Sequence, residues 1–156
     1  MNQKIPIELE RALEAFETGD LDQIIRERRR EHFEVLRRLV SVDSGVKKKY
    51  RQKAIYALGR WGDVSAVPDV LKVLPELDES ERITAIDALG RLGTDQAREA
   101  VASYARDPSP QVRKFVVQAL GRLGGSEAAT HLDDIAGKDG EAWIRQLAAR
   151  QIGKSQ

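Results

Sequence analysis

From residue 64 onward the apolar side chains recur at helical spacing, and no strand pattern intervenes. Ala66, Val70, Val73 and Leu74 form one stripe, and Ala85, Ile86, Ala88, Leu89 and Leu92 form a second. The polar run Asp78-Glu79-Ser80-Glu81 separates them. Asp78 is suited to cap the second helix, with Glu81 reaching back to it three residues on. Gly93 ends that helix, because glycine takes the left-handed conformation past a helix end at least cost. The same order then recurs. Ala97, Val101, Tyr104 and Ala105 make a first stripe, Asp107-Pro108-Ser109-Pro110 a break, and Val112, Val116, Val117, Ala119, Leu120 and Leu123 a second stripe. Ser109 fits the cap and Pro110 the first helical position, where a missing N–H costs nothing. A last pair uses Ala128, Leu132, Ile135 and Ala136, a break from Gly137 to Gly140, then Ile144, Leu147, Ala148 and Ile152. No alternating run and no Asn-Gly turn signals a β-hairpin.

The second stripes are copies of one another. Ala-Leu-Gly-Arg-hydrophobic-Gly occurs at 57–62, 88–93 and 119–124, a spacing of 31 residues. An eroded copy from Ile144 to Gly153 follows Val112 to Gly121 at an offset of 32. A fixed period of this length means stacked helix pairs. Gly59, Gly90 and Gly121 lie inside the helical pattern, where glycine costs about 1 kcal/mol against alanine. Three such positions imply close backbone contact between neighbouring helices, and Ala57, Ala88 and Ala119 fit the same crowded seam. Arg51, Arg82, Arg113 and Arg145 follow the successive breaks, forming a column expected to pair with loop carboxylates such as Asp78 or Asp107.

Residues 1–50 depart from the pattern. Ile7 to Phe16 reads as a short acidic amphipathic helix ending near Gly19. Asp20 can then cap a helix from Leu21 to about Val42, longer than any later first helix. A solenoid needs such an end cap to cover its first core face. The Val-Arg, Ala-Leu-Gly-Arg-Leu-Gly and Asp-Pro-Ser-Pro-x-Val-Arg stretches resemble HEAT repeats, specifically the short bacterial HEAT-like class named after the phycobilisome lyases. The likeness is good over 64–153 and loose over 20–62. It implies an all-α, right-handed superhelix: a HEAT-like α-solenoid of about four helix pairs, eight or nine helices in all, with an N-terminal helical cap. The expected organisation is one domain over 1–156, with a cap at 1–19 and repeats at 20–62, 63–93, 94–124 and 125–156. The class carries little information about function, since scaffolds, lyases and other enzymes all use it.

Catalytic constellations are thin. Cysteine is absent, which excludes disulfides, thiolate metal sites and cysteine nucleophiles. HEAT-type deoxyhypusine hydroxylases hold iron through His-Glu pairs; the corresponding positions here are Gln52-Lys53, Ile83-Thr84 and Lys114-Phe115. The two histidines, His32 and His131, read as surface or interface residues without a converging ligand set. No phosphate-cradling or dinucleotide glycine loop is present, so no cofactor, no metal and no catalytic residue is expected. No apolar run reaches the ~18 residues of a membrane span. Residues 1–20 carry no secretory pattern, and the expectation is a cytoplasmic protein.

Charge is balanced in total, 26 basic against 25 acidic residues, but unevenly spread. Residues 26–60 carry twelve basic and four acidic residues, whereas residues 1–25 carry two basic and six acidic. Arg26, Arg29, Arg30, Arg37, Lys47, Lys48 and Lys49 could therefore collect phosphates, meet an acidic protein partner, or form a solvated face paired with the acidic first helix. The HEAT resemblance places the second helix of each pair on the concave side. Its groove positions are Lys53, Tyr56 and Arg60; Thr84, Asp87 and Arg91; Phe115, Gln118 and Arg122; Arg150 and Lys154. Arg60, Arg91, Arg122 and Lys154 form one basic column, and arginine and aromatic residues are enriched at interface hot spots. The expected function is a non-catalytic scaffold that binds another protein on this face, an acidic one being the candidate partner. Nucleic-acid backbone binding through residues 26–53 is an alternative. An accessory role beside a bilin-lyase-like enzyme follows from the resemblance alone.

Overall fold

The computed structural model describes residues 4–41, 45 and 47–154. These contain ten α-helices: α1 Ile7–Glu14, α2 Gly19–Glu27, α3 Arg30–Val40, α4 Lys48–Trp61, α5 Val67–Val73, α6 Glu79–Leu92, α7 Asp95–Ser103, α8 Pro110–Leu123, α9 Gly125–Lys138 and α10 Ala142–Ile152. Short 3₁₀ turns at Val64–Ala66 and Leu74–Glu76 flank α5. Helices α3, α5, α7 and α9 form one layer and α4, α6, α8 and α10 the other, while α1 and α2 pack over α4. A continuous core runs from Leu9 and Leu13 in the cap to Ile144 and Ala148 in α10.

The second helices approach one another far more closely than the first helices do. The glycine seam explains this. A Cβ on Gly59 would sit 2.6 Å from Cα of Ala88, and one on Gly90 would sit 2.8 Å from Cβ of Ala119. Only glycine permits that approach, so the layer α4-α6-α8-α10 is the tighter one. The helix ends follow from local chemistry. Asp78, Thr94 and Ser109 accept hydrogen bonds from the N–H groups of Glu81, Ala97 and Val112. Gly62 and Gly93 end α4 and α6 with φ of 77° and 75°.

Three expectations are corrected. The long helix from Leu21 does not form: Gly19 starts α2 instead of ending the preceding turn, and the chain breaks at Arg28, which adopts φ 52°. The break lets α2 lie on α4 while α3 joins the outer layer. The Arg28 side chain holds it there, donating to the Trp61 carbonyl at 2.9 Å and stacking over the Trp61 ring. That split gives ten helices where eight or nine were expected; Val42 lies outside the described residues. Glu81 does not complete a capping box, because its buried carboxylate accepts from Arg51 Nε at 2.7 Å. Gly137 stays inside α9, and the last break begins at Asp139.

The seam generates a sign test. Gly59→Ala should destabilise by about 1–2 kcal/mol, because the overpacking against Ala88 backbone exceeds the helix-propensity gain. Gly121→Ala should fall within about 1 kcal/mol of neutral, since its neighbour is the flexible Gln151 side chain. Urea denaturation of the two variants measures both.

Candidate functional site

The second-helix column is assembled by the helical register of α4, α6, α8 and α10, which brings the end of each second helix beside its neighbour. Arg60 is exposed and lies 4.9 Å over the Tyr56 ring. Asp87 sits between two members of the column: one carboxylate oxygen accepts from Arg91 Nε at 2.9 Å and the other from Arg122 Nη1 at 3.1 Å. Phe115 is half-buried against the core with the Lys114 ammonium 5.7 Å from its ring. Gln118 is half-buried, and Arg150 and Lys154 are exposed.

Two candidates are already engaged by the cap. Lys53 donates to the carbonyls of Ala12 and Ala15 at the end of α1, where burial and the neighbouring Lys49 charge depress its pKa. The Tyr56 hydroxyl donates to Asp22 of α2 at 3.2 Å. The cap therefore occupies two of the α4 candidates.

The opposite edge carries three of the four expected arginines as a ladder, with Asp107 among their partners but Asp78 paired to Lys48 instead. Arg51 pairs with Glu81 at 2.7 Å, Arg82 with Asp107 at 2.8 Å, and Arg113 with Asp139 at 2.8 Å. Each carboxylate belongs to the next unit and is nearly inaccessible, 2–4% exposed, so the pairs act with little screening. Arg82, Arg113 and Arg145 also donate to carbonyls of Leu77, Asp107 and Asp139 in the turn just before their own helices. Outer-layer pairs run the same way: Arg30–Asp63, Arg37–Asp69, Arg98–Glu127 and Arg106–Asp134.

The basic block is largely paired within the chain. Arg29 meets Glu8 and Glu27, Arg30 meets Glu34 and Asp63, and Arg37 meets Asp69 and Glu34. Lys47 and Lys49 converge on Glu14 of α1, and Lys48 on Asp78. Among the described residues, Arg26 of the seven has no such carboxylate. The break at Arg28 also removes it from the face of α3 that holds Arg29, Arg30 and Arg37. Hydrogen bonds from Lys47, Lys49 and Tyr50 lower the Glu14 pKa to about 2, while burial and that carboxylate push Tyr50 up to about 12.

Sequence comparison matches the family described as HEAT repeats to residues 69–153, more than half of the chain. The chain belongs to the HEAT-repeat family. A comparison with curated proteins gives no match. Among solved structures, the complex of CpcE and CpcF of phycocyanin lyase from Nostoc sp. PCC7120 is similar, with a TM-score of 0.70 and 18% identity over 100% of this chain and 67% of that one. An engineered protein is similar with a TM-score of 0.54 and 16% identity, over 94% of this chain and 77% of that one. At these identities the likeness shows the fold alone.

One feature of this HEAT solenoid escaped the sequence reading. His32 is wholly buried within the chain, where a surface or interface residue was expected, and its Nε2 lies 3.1 Å from Oε1 of Glu8. Glu31 joins them, the three ligand-type atoms lying within 4.8 Å of one another, with the Arg29 guanidinium 3.6 Å from Glu8. Glu8 and His32 are 24 positions apart with no spacing signature, so only the packing of α1 on α3 could reveal the pair. His131 is exposed on α9. No described helix is long and apolar enough to cross a membrane.

Two outcomes follow from the ladder. Arg113→Gln strands the buried Asp139 carboxylate and should cost about 2–4 kcal/mol in urea unfolding, with Arg145→Gln costing less than half as much. The second concerns pH. At Asp139 burial raises the pKa, but the Arg113 hydrogen bonds, the Glu141 N–H and the Arg113 and Arg145 charges outweigh it, and the pKa falls below the usual range. Asp78 is held at about 2 by Lys48 and the Glu81 N–H. Depressed carboxylates stabilise the fold above their unfolded pKa and lose that contribution as pH falls through the folded value. Stability should therefore be flat above about pH 5 and decline between about pH 4 and 2, with a shallower decline in Asp78→Asn.

Proposed function

We propose that the protein is a non-catalytic interaction module that holds a partner protein on its concave face, through the column Arg60, Arg91, Arg122, Arg150 and Lys154 beside Phe115 and Gln118. The observation that carries this reading is the excess of cations on that face. Asp87 is the one acidic residue among the candidates, and it is shared by two arginines. By contrast, the ladder arginines on the opposite edge each meet a carboxylate of the next unit until the stack ends. Packing therefore accounts for Arg51, Arg82 and Arg113 and leaves the concave column unexplained. A partner segment rich in Asp and Glu suits such a face, and Phe115 offers it an apolar anchor. The likeness to the CpcE–CpcF complex supports a protein as the partner. Internal pairing of the basic block favours the solvated-face reading of residues 26–53 over nucleic-acid binding.

The test is affinity capture from the native host with the wild-type chain and a variant combining Arg60→Gln, Arg91→Gln, Arg122→Gln and Asp87→Asn. Removing Asp87 with its partners leaves no carboxylate stranded. A protein retained by the wild type in low salt should be lost from the variant and released from the wild type by added salt. The variant's melting temperature should stay within about 3 °C, because exposed ion pairs contribute little. Equal retention by the variant contradicts the proposal.

A further inference from the structure

The first turns of α1 and α3 bring three metal-ligating side chains to one place. The break at Arg28 fixes where α3 begins, and Glu31 and His32 are its second and third residues. On α1, Leu9, Ala12 and Leu13 are wholly buried, and their packing holds Glu8 at the helix start. The Nε2 atom of His32 lies 3.1 Å from Oε1 of Glu8. A carboxylate oxygen of Glu31 completes a set whose members all lie within 4.8 Å of one another. None of the three belongs to the second-helix column.

Packing does not account for this arrangement. His32 is inaccessible to solvent, yet its Nδ1 has no hydrogen-bond partner among the described residues. A histidine buried for structure alone normally satisfies both ring nitrogens. Because no N–H donates to Nδ1, nothing locks the proton on Nε2, and that nitrogen can offer its lone pair to an ion. Glu31 makes no hydrogen bond or ion pair among the described residues, although it stands beside a second carboxylate. Two carboxylates that close repel each other, and Arg29 answers only Glu8, at 3.6 Å. Arg29 also holds Glu27 at 3.3 Å, so it keeps a partner when Glu8 turns to an ion.

We infer that Glu8, Glu31 and His32 form a binding site for a divalent first-row transition ion such as Zn²⁺, which ties α1 to α3. The donor set selects the class. One imidazole nitrogen with two carboxylates suits Zn²⁺ and its neighbours, whereas Ca²⁺ and Mg²⁺ take oxygen ligands. Two carboxylates and a neutral imidazole cancel the charge of the ion. Donors around one tetrahedral Zn²⁺ stand about 3.4 Å apart, from bond lengths of about 2.1 Å. Glu8 and Glu31 are both exposed and turn to reach that spacing, while the buried ring stays fixed. The fourth position of the ion is left to water. Bound there, the ion fastens the cap whose α1 end engages Lys53.

The test uses the full chain, stripped with EDTA and titrated with ZnCl₂ by calorimetry. It should take up one ion with a Kd of about 10 μM or tighter. Zn²⁺ at about a hundredfold excess over Kd should raise the melting temperature by about 5 °C or more. Amide exchange in α1 should slow at least about tenfold under the same conditions. Glu31→Gln should weaken uptake at least about tenfold and leave the melting temperature of the metal-free chain unchanged, since Glu31 makes no bond there. His32→Gln should abolish uptake, and His131→Ala should leave it as in the wild type. If His32→Gln fails to fold, Glu31→Gln alone decides. Any of four results overturns the inference: no uptake at about 100 μM Zn²⁺, uptake by Glu31→Gln equal to that of the wild type, loss of uptake in His131→Ala, or an equal rise in melting temperature with Ca²⁺.

Discussion

Backbone contact between successive second helices sets the geometry from which the other features follow. Where Gly59 meets Ala88 and Gly90 meets Ala119, the glycine side of the contact carries no Cβ, and the four second helices draw together into one tight layer. The approach has a structural cost, since glycine weakens each helix by about 1 kcal/mol relative to alanine. Burial of Ile55, Ile86 and Val117 against the next unit offsets it. The closeness also fixes the register in which Arg60, Arg91 and Arg122 line up, so the packing constraint and the concave column share one cause.

The two arginine columns have opposite environments. On the turn edge, Arg51, Arg82 and Arg113 reach into low-dielectric pockets and hold carboxylates that are almost inaccessible, so each pair contributes only while both partners remain. At the ends of the second helices the guanidinium groups are exposed or share Asp87, and water screens them. Neutralising the first column should unfold the stack; neutralising the second should leave it intact. The sequence separates the two columns within each repeat, because Arg82 follows a break that carries carboxylates whereas Arg91 stands in the last turn of the same helix.

Much of the solenoid was legible because its cause is periodic. Stripes such as Val112, Val116, Val117 and Leu120 and the caps Asp78 and Ser109 follow from local rules, and the structure repeats them from unit to unit. The cap region was harder to read, since it occurs once. The break at Arg28 depends on a hydrogen bond to the Trp61 carbonyl, 33 residues away, and no local signal announces it. Burial of His32 against Glu8 and capture of Lys53 by the end of α1 have the same origin, a single packing of α1 and α2 on the first pair. Glu81 looked like half of a capping box because spacing alone cannot show that Arg51 of the preceding unit competes for it.

Position-specific photo-crosslinking tests the central claim, that the column formed by the second helices is the face that holds a partner. A crosslinker at Gln118, between Arg91 and Arg122 on the inner layer, is compared with one at Glu99 on the outer layer, in the presence of the native host's proteins. The account predicts a discrete adduct from position 118, suppressed by salt, and none from position 99. An adduct from position 99 of equal or greater yield would contradict it.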